Sequence, residues 1–544
     1  MDYEGHEVCC FMTFFRFWML CTIVALSTGT PAFSQQQPKL VVIVSFDQYR
    51  GDYPTSFARF IGSRGFARLQ KDGAVFSQCY YEHASNLTGP GHASLLTGSY
   101  PAHTGIVGND FCDNRNDACV YCVSDANDTA SATLLEMPTV GEILRERNPR
   151  SKIVGVSLKD RAAILMCGKG ASACVWFDES LGTWTTSTAY TRPKWLALLN
   201  KEVNVSTYAE RTWDAKIPAT LNPAYDSVSA EGAFEGGNNT FPHVVLPVNH
   251  KSYVSSVMLS PFSMDMVFDA ASLALKQEKL GLDRNPDLLC VGVSTTDYVG
   301  HVFGPDSREV QELYVLADKR IERLIDELDQ RVGRKNYVLI ITSDHGIAPI
   351  PEVIRDLPQQ QGARIDAGRI TKKELRSIVD SVLTKRFGPA RSGSFIRAIF
   401  APSIYLNEDA ISGFNRAEVL GVVVGALRAH RGIGVVTTRD TLALGDCPEN
   451  LDNATCRYLR NSFHAARSGD VLVFPKRYWV FGSNTATHGT AHDYDRYVPL
   501  MLLGGRILPQ RSKEQVSPVD IAPTIASWFG LTLGPIDGKP LPLK

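Results

Sequence analysis

The sequence predicts an α/β protein with a doubly wound, mostly parallel sheet flanked by helices. Short apolar runs rich in Val, Ile and Leu alternate with amphipathic stretches, the pattern of parallel strands buried between two helical layers. At 544 residues, 44% of them hydrophobic, the chain is long enough to bury a large core. Its formal net charge of -1 gives no basic footprint for nucleic acid, so no nucleic-acid partner is expected.

Residues 1–34 are predicted to be a secretory signal peptide. Arg16 precedes an apolar run of roughly ten residues, and small residues follow up to Ser34, the order of a cleavable export signal. The run is short for a membrane span, which takes about 20 residues; a retained anchor is the alternative. Acidic residues precede Met12, the predicted true start. We therefore expect a periplasmic or secreted protein without a stable membrane partner, and nothing indicates more than a monomer.

Five apolar runs are predicted to be buried parallel strands: KLVVIVSFD, SKIVGVSLKD, DLLCVGVSTTD, NYVLIITSDHG and YVPLMLLGG. The clearest helix lies between the third and the fourth, where apolar residues recur at three- and four-residue steps. Asp306 and Glu309 are expected to form a capping box at its start. The apolar positions of this helix are Val310, Leu313, Ala317, Ile321, Leu324 and Leu328.

The catalytic core is predicted to comprise residues 35–349 and 461–544, with two insertions. Residues 195–260 are rich in loops. Residues 350–460 contain Pro, Gly and Gln breakers, one helix around TKKELRSIVDSVLTKRF and a strand–helix–strand unit near residues 394–438. This second insertion is expected to form a small α/β cap.

Nine of the 12 cysteines follow the predicted signal peptide. Cys290 lies in an apolar strand pattern and is expected to be a free core thiol. The other eight lie in loop-like sequence, which suits short-range disulfides in an oxidising compartment. CVYC is also compatible with a redox or zinc motif, but no second CxxC accompanies it, so disulfides are favoured. The eight are Cys79, Cys112, Cys119, Cys122, Cys167, Cys174, Cys447 and Cys456.

Polar residues follow four predicted strands where each apolar run ends. Asp47, Asp297 and Asp344 follow three of them, and the triplet KDR, residues 159–161, follows the fourth. In an open α/β sheet, ligands bind at the carboxyl ends of the strands. Three carboxylates there would repel one another unless a cation lay between them.

Three histidines accompany the carboxylates. They are His301, His345 and His488, in the stretches DYVGH, SDHG and TATHGTAHD. Asp and His without cysteine thiolates suit catalytic zinc, although manganese and cobalt remain open. Alone, each motif is more typical of a helix cap, a surface histidine or a turn. The prediction of a metal site therefore depends on their joint occurrence at matching strand ends.

The stretch SNLTGPGHASLLTGSYPAHTGIVGND, residues 85–110, is crowded with hydroxyls, and composition alone does not choose a nucleophile among them. Together with SFDQYRGDY, TTDYVGH, SDHG, THG and SPVDIAPTIASWFG, it resembles the alkaline phosphatase superfamily. More narrowly, it is similar to the type I phosphodiesterase/nucleotide pyrophosphatase group and its PafA-type phosphate monoesterases. The resemblance covers essentially the whole chain after the signal peptide.

The resemblance implies an enzyme with two Zn2+ per chain. The implied ligands are Asp297, His301 and His488 for one ion, and Asp47, Asp344, His345 and Thr88 for the other. His492 is the alternative to His488 as a zinc ligand. His92 and His103 are expected to be hydrogen-bonded structural residues.

Thr88 is also the implied nucleophile, which forms a phosphothreonine that water then hydrolyses. A threonine hydroxyl is a poor nucleophile unless it is activated, and a bound zinc lowers its pKa. Asn109 matches a residue that binds a phosphoryl oxygen. Gly89 and Gly91 are expected to allow a tight turn after Thr88, followed by a helix that begins at HASLLTG.

Lys159 and Arg161 favour phosphate monoesters over diesters as substrates. If both continue an extended strand end, their side chains point to the same side, and two cations suit the dianionic phosphoryl group of a monoester. This K-x-R pair also matches the PafA-type enzymes. The expected function is a broad zinc-dependent alkaline phosphatase acting on small-molecule phosphate esters. The alternatives are a nucleotide pyrophosphatase/phosphodiesterase, and a non-catalytic binding protein, which would typically have lost a ligand or the nucleophile.

Overall fold

The computed structural model describes residues 37–544 except 126–128, 219, 221–227, 236, 238, 358–363, 392 and 450. The predicted signal peptide, with its three cysteines, lies outside the described residues. No helix in the described part of the chain is long and apolar enough to cross a membrane.

The strands form one large sheet, one small sheet and three two-stranded pairings. In chain order the described strands are β1 (Leu40–Phe46), β2 (Ala74–Cys79), β3 (Asp110–Asp113), β4 (Ala118–Tyr121), β5 (Ile153–Ser157), β6 (Ala173–Asp178), β7 (Thr183–Thr185), β8 (Thr212–Trp213), β9 (His243–Val244), β10 (Asp287–Val293), β11 (Tyr337–Thr342), β12 (Gly368–Ile370), β13 (Ile396–Phe400), β14 (Ser403–Leu406), β15 (Ile433–Thr438), β16 (Val471–Pro475), β17 (Trp479–Phe481), β18 (Leu500–Gly504) and β19 (Gln510–Val516).

Helices pack on both faces of the large sheet and also on the small sheet. The described α-helices are α1 (Tyr53–Ser56), α2 (Phe66–Asp72), α3 (Thr88–Thr97), α4 (Pro101–Thr104), α5 (Val140–Arg147), α6 (Asp160–Cys167), α7 (Leu196–Glu202), α8 (Tyr253–Met258), α9 (Pro261–Gln277), α10 (Thr295–Phe303), α11 (Arg308–Arg331), α12 (Pro351–Asp356), α13 (Lys372–Phe387), α14 (Glu408–Ile411), α15 (Arg416–Arg428), α16 (Arg439–Ala443), α17 (Asn453–Ser462), α18 (Asp493–Arg496) and α19 (Ile521–Phe529). Three 3-10 helices, Ala58–Phe60, Val205–Tyr208 and Pro518–Asp520, complete the described helices.

The large sheet confirms the predicted fold class. Its strand order is β19-β2-β18-β11-β1-β10-β5-β6-β7, and β11, β1, β10, β5 and β6 are parallel to their neighbours in that run. Alternate residues of β1 enter different core layers: Val42 and Val44 pack with α9 and α11, whereas Val41 and Ile43 pack with α3, α6 and α19. A strand that is buried on both faces reads as a continuous apolar run.

The direction predicted for one strand is wrong. YVPLMLLGG forms β18, which is antiparallel to both β11 and β2. Burial on both faces produces the same apolar run whichever way a strand points, so the sequence pattern does not reveal direction. Strand β7 is also antiparallel to its neighbour β6.

The predicted amphipathic helix is α11, and its six predicted apolar positions are all buried. The predicted capping box is wrong, because the residue that caps the helix is Ser307, whose side chain accepts a hydrogen bond from the backbone N–H of Val310. Glu309 instead lies 2.9 Å from the ring nitrogen Nε2 of His243, in a fully buried pair. The local sequence pattern assigns the carboxylate of Glu309 to the helix cap, but in the structure this carboxylate pairs with His243, which is buried and distant in sequence.

The small sheet has the order β13-β14-β16-β15, and helices α13 and α15 pack on it around a hydrophobic cluster of their own. The predicted helix and strand–helix–strand unit of the second insertion correspond to α13 and to residues 396–438. The division at residue 460 stays a prediction, although β16 (Val471–Pro475), which follows it, belongs to the small sheet. Residues 37–544 together form one compact unit.

The expectation that eight cysteines form disulfides is half right. Cys112 pairs with Cys119 across the β3–β4 hairpin, and Cys447 pairs with Cys456. Cys290 is a buried free thiol, as expected. The other predicted partners are also buried free thiols, because they lie within or next to packed elements and not in loops; these are Cys79, Cys122, Cys167 and Cys174.

Candidate active site

Three buried carboxylates meet at the carboxyl ends of adjacent strands. Asp47 directly follows β1, Asp297 lies in the first turn of α10 after β10, and Asp344 lies two residues after β11. Their exposed fractions are 0%, 4% and 0%. Burial, followed by the charges of Asp297 and Asp344, raises the pKa of Asp47 well above its usual value. The cluster is therefore costly unless positive charge compensates it.

Three histidines turn their Nε2 atoms towards these carboxylates. His301 Nε2 and His488 Nε2 lie 3.2 Å and 3.4 Å from Asp297 Oδ1. His345 Nε2 lies 3.4 Å from Asp47 Oδ1 and 3.3 Å from Asp344 Oδ2. The rings of His345 and His488 stack with their centroids 3.6 Å apart.

Backbone carbonyls fix the orientation of all three rings. The Nδ1 atoms of His301, His345 and His488 lie 2.7 Å, 2.9 Å and 2.8 Å from the carbonyl oxygens of Ala486, Gly346 and Asn86 respectively. A hydrogen bond at Nδ1 leaves Nε2 as the free ligand atom, which is the usual support for a metal-binding histidine. His492 Nε2 instead lies 3.1 Å from the carbonyl of Pro475.

The donor set fits divalent cations. Asp47 Oδ1, Asp344 Oδ2 and His345 Nε2 are buried and make no hydrogen bond, although buried polar atoms in native proteins nearly always have a partner. Ligand atoms of Asp47, Asp344 and His345 lie within 4.8 Å of one another, and so do those of Asp297, His345 and His488. The resemblance assigns His345 to one ion only, whereas the structure brings it within reach of both groups.

Lys159 supplies positive charge to the same carboxylates. Its Nζ lies 2.7 Å from Asp47 Oδ2 and also donates to Asp297 Oδ2, so the ammonium stands where a cation between the two would be. The premise that Lys159 and Arg161 extend a strand is wrong, because β5 ends at Ser157 and Lys159 is the N-cap of α6. Arg161 lies in the first turn of that helix.

Arg161 is held by the β3–β4 hairpin. Its Nη1 donates to the hydroxyl of Tyr121 at 3.1 Å, and that hydroxyl donates to Asp160 Oδ1 at 2.5 Å. Burial lowers the pKa of Arg161, but the hydrogen bond to Tyr121 and the negative charge of Asp47 help to raise that pKa by a larger amount, so the guanidinium stays protonated. Sequence reasoning missed Tyr121, because the stretch CVYC was considered only for its cysteines.

Thr88 is the first residue of α3 and is 1% exposed. His92 Nδ1 lies 3.0 Å from the Thr88 carbonyl and 3.2 Å from Asp344 Oδ2, which ties the first turn of the helix to the carboxylate cluster. His92 is thus hydrogen-bonded, as expected, and His103 pairs with Asp537 at 2.9 Å.

The expected tight turn at Gly89 and Gly91 is wrong, because both lie in the first turn of α3. Gly91 is required there for a different reason. A Cβ at Gly91 would lie 2.2 Å from the carbonyl oxygen of Asp344, so only glycine permits the helix to approach the end of β11 this closely.

Asn109 lies beside the start of the same helix. Its Oδ1 accepts a hydrogen bond of 2.8 Å from the backbone N–H of Gly89, and its own carbonyl accepts one from the N–H of Cys122. The amide of Asn109 is thereby fixed next to Thr88. The structure thus brings Thr88 and Asn109 together, as the resemblance implies.

Gln48 is a further residue that sequence reasoning missed. Its backbone N–H donates to Asp344 Oδ1 at 3.1 Å and its Nε2 donates to Asp297 Oδ1 at 2.7 Å. The residue adopts a φ of 66°, a left-handed conformation that is uncommon outside glycine. The one available signal is its place directly after Asp47. Gln48 therefore positions two of the three carboxylates.

This strand order, with buried carboxylates and histidines at the carboxyl edge opposite the start of a helix, defines the alkaline phosphatase-like class of α/β proteins. The chain belongs to the type I phosphodiesterase / nucleotide pyrophosphatase family, whose family model matches residues 41–495. The resemblance inferred from the sequence motifs is confirmed.

Relatives match almost the whole chain. Alkaline phosphatase PafA of Elizabethkingia meningoseptica is 28% identical over 93% of this chain and 94% of its own length. A crystal structure of wild-type PafA superposes with a TM-score of 0.85 at 29% identity, covering 93% of this chain and 98% of that one. Alkaline phosphatase PhoV of Synechococcus elongatus is 30% identical over 90% of both chains. A protein of Myroides odoratus named calcium-transporting ATPase is 30% identical over 90% of this chain and 91% of its own.

Proposed function

We propose that this protein is an exported, zinc-dependent alkaline phosphatase that hydrolyses phosphate monoesters through a phosphothreonine at Thr88. Phosphate monoester hydrolysis follows from family membership and from full-length similarity to alkaline phosphatases. The observation that carries the finer proposal is the packing of the Thr88 end of α3 against the Asp344 strand end, within the cluster of carboxylates and histidines.

We assign two cation sites to this cluster. Their ligands are Asp47, Asp344, His345 and Thr88 for one ion and Asp297, His301 and His488 for the other. The buried atoms without hydrogen bonds support this assignment, and so does the ammonium of Lys159 between two of the carboxylates. Zinc bound there would lower the pKa of a coordinated hydroxyl and neutralise charge on the entering and leaving oxygens.

The proposed reaction consists of two successive displacements at phosphorus. Thr88 Oγ1 attacks phosphorus, the ester P–O bond breaks and the alcohol departs with a proton. Water next attacks the phosphothreonine, which releases phosphate and restores the threonine hydroxyl. Because Asn109 Oδ1 already accepts from Gly89, its Nδ2 is the atom that donates to a phosphoryl oxygen. This fixed donor costs no reorganisation during the reaction.

Lys159 and Arg161 account for a preference for monoesters. The monoester dianion carries one negative charge more than a diester, and the guanidinium of Arg161 is able to grip two oxygens. With cations of their own on Asp47 and Asp297, the ammonium of Lys159 becomes available to the phosphoryl group. The two side chains leave the same helix start, at its N-cap and in its first turn.

An assay with p-nitrophenyl phosphate and its bis ester tests the proposal. We expect faster turnover of the monoester than of the bis ester. ATP is included as a further substrate because one relative is named an ATPase. Faster turnover of the bis ester would instead support a phosphodiesterase. Arg161→Ala and Lys159→Ala should each lower monoester kcat/KM about 100-fold, and diester kcat/KM far less. Lys169→Ala, at an exposed position two residues after the end of α6, is the matched control.

Thr88→Ala tests the nucleophile. This variant should keep its metal content and lose hydrolysis. An unchanged rate would refute the assignment of Thr88 as the nucleophile. Loss of the metal would support Thr88 as a metal ligand but would give no evidence that it is the nucleophile.

Export is supported by the two disulfides, which persist in oxidising compartments. N-terminal sequencing of the mature protein tests cleavage near Ser34. A monomeric state and the absence of membrane and nucleic-acid partners stay predictions.

A further inference from the structure

His488 is supported differently from the other candidate metal ligands. Those ligands lie just after a strand or within a helix, whereas His488 lies in the connection between the end of β17 and the start of α18. The next residue, Gly489, has a φ of 103°. Glycine adopts such a conformation freely, so the residue by itself does not fix the direction of the chain. The position of the His488 ring therefore depends on contacts with other segments.

Hydrogen bonds from two other segments hold this connection. Nδ1 of His488 lies 2.8 Å from the carbonyl oxygen of Asn86, and Nδ2 of Asn86 donates to the carbonyl of Thr490 at 2.7 Å. The backbone N–H and the hydroxyl of Thr490 both donate to Asp495 Oδ2, at 2.7 Å and 2.6 Å. The side chain of Asp495 is thus the point to which the chain beyond His488 is fastened.

The backbone of Asp495 is anchored to the segment of the second histidine. Its carbonyl accepts a hydrogen bond of 2.7 Å from the N–H of Gly346, and the carbonyl of Gly346 lies 2.9 Å from Nδ1 of His345. A Cβ at Gly346 would lie 2.1 Å from the carbonyl oxygen of Tyr494, so the two segments approach as closely as glycine allows. The rings of His345 and His488 stack with their centroids 3.6 Å apart. A continuous chain of hydrogen bonds therefore joins the two stacked rings.

This chain of hydrogen bonds is shielded from water. Asn86, Thr490 and Asp495 are all buried. The hydroxyl of Thr490 also accepts from the backbone N–H of His492 at 3.2 Å. Removal of a partner here would leave buried donors without a hydrogen bond, and the segment that carries His488 would have to move to satisfy them.

We propose that Thr490 and Asp495 are positioning residues that hold the ring of His488 beside that of His345, so that both cation sites form together. The inference rests on the proposed function, because it needs the two sites assigned there. Both residues act through His488 and are not ligands themselves. Loss of the Asp495 side chain frees the His488 segment, whereas the backbone anchor at Gly346 persists. The ion that His488 helps to hold should therefore be the one affected.

Competition with a chromophoric zinc chelator tests this with the full-length enzyme loaded with two Zn2+. Asp495→Ala should weaken the binding of one ion about 10-fold to 100-fold and leave the other near its wild-type affinity. Thr490→Val removes the hydroxyl but keeps the backbone hydrogen bond, so it should cause a smaller loss at the same ion. Thr490→Ser, which keeps the hydroxyl, should retain wild-type affinity.

Asp287→Ala is the matched control. The carboxylate of Asp287 is also buried and also accepts two hydrogen bonds, from the backbone N–H groups of Gly281 and Lys152 at 2.9 Å and 2.8 Å. It is the first residue of β10, at the opposite end of that strand from Asp297. This variant should lower the melting temperature and change neither zinc affinity.

Other outcomes overturn the inference. Wild-type affinity for both ions in Asp495→Ala would overturn it and leave the metal sites intact. Equal weakening of both ions, or an equal loss in Asp287→Ala, would indicate a general loosening of the fold instead. If Asp495→Ala does not fold, the comparison of Thr490→Val with Thr490→Ser decides, and equal zinc affinities would overturn the inference. If the wild-type protein binds no zinc, the proposed function fails, and this inference with it.

Discussion

The hydroxyl of Tyr121 accepts a hydrogen bond of 3.1 Å from Nη1 of Arg161. Tyr121 is the last residue of β4, in a hairpin closed by the disulfide Cys112–Cys119. The same hydroxyl donates to Asp160, the first residue of α6. The hairpin therefore fixes the direction of the guanidinium, in addition to carrying Asn109 at its start.

Tyr121→Phe should lower kcat/KM for p-nitrophenyl phosphate about threefold to tenfold, because the guanidinium loses one hydrogen bond that orients it while the aromatic ring stays in place. Steady-state kinetics measure the effect. Tyr100→Phe is the control, since its hydroxyl bonds Ser517 Oγ at 3.1 Å and no residue of the candidate site. Equal losses in both variants would contradict a role for Tyr121 in positioning Arg161.

Gly91→Ala should destabilise the fold by about 1–3 kcal/mol and abolish most hydrolysis, because the added Cβ forces α3 away from Asp344. Thermal unfolding and the monoester assay measure the two effects. Gly421→Ala in α15 is the control: its Cβ would meet open space, and alanine favours the helix. Wild-type activity in Gly91→Ala would contradict the close approach of helix and strand end.

The position of the carboxylates was predictable because two local patterns agree. An apolar run followed within a few residues by Asp marks a strand end, and parallel strands end at one edge of a sheet. Asp47, Asp297 and Asp344 meet for that reason. The direction of β18 was not predictable, since its neighbours are chosen by tertiary packing.

The side chains around the carboxylates were harder to predict for a common reason. The role of Gln48 depends on a φ of 66°, and Lys159 departs from the strand because Asp160 begins a helix. The need for Gly91 comes from the backbone of a residue more than 250 positions away. Such contacts between distant segments leave no periodic signal in a single sequence.

Removal of metal by a chelator should abolish hydrolysis and lower the melting temperature. Without bound cations the buried carboxylates repel one another, and a ligand at 100 times its Kd contributes about 2.7 kcal/mol to stability. Differential scanning calorimetry and metal analysis measure this, and Zn2+ should restore both properties better than Mn2+ or Co2+. Asp344→Asn should show a smaller shift on chelation. An unchanged rate and melting temperature after complete chelation would contradict a metal-dependent site.

His83→Phe should make stability less sensitive to acid. His83 is fully buried between the rings of Tyr81 and Tyr100, and neither ring nitrogen has a hydrogen bond. Burial, and then the positive charge of Arg496, lower the pKa of His83 to about 3. In the unfolded chain the pKa is about 6.5, so between these two values the unfolded state binds the proton and the folded state does not.

The wild-type protein should therefore lose stability from this group as the pH falls below about 6.5, by up to about 1.4 kcal/mol per pH unit until pH 3. Phenylalanine fills the same aromatic cluster and does not bind a proton. The free energy of unfolding, measured with urea, should thus change in favour of His83→Phe over wild type by about 2–3 kcal/mol between pH 7 and pH 4.5. Tyr100→Phe, in the same cluster, should keep the wild-type slope. Parallel pH curves for wild type and His83→Phe would mean that His83 binds its proton equally well in the folded and the unfolded protein.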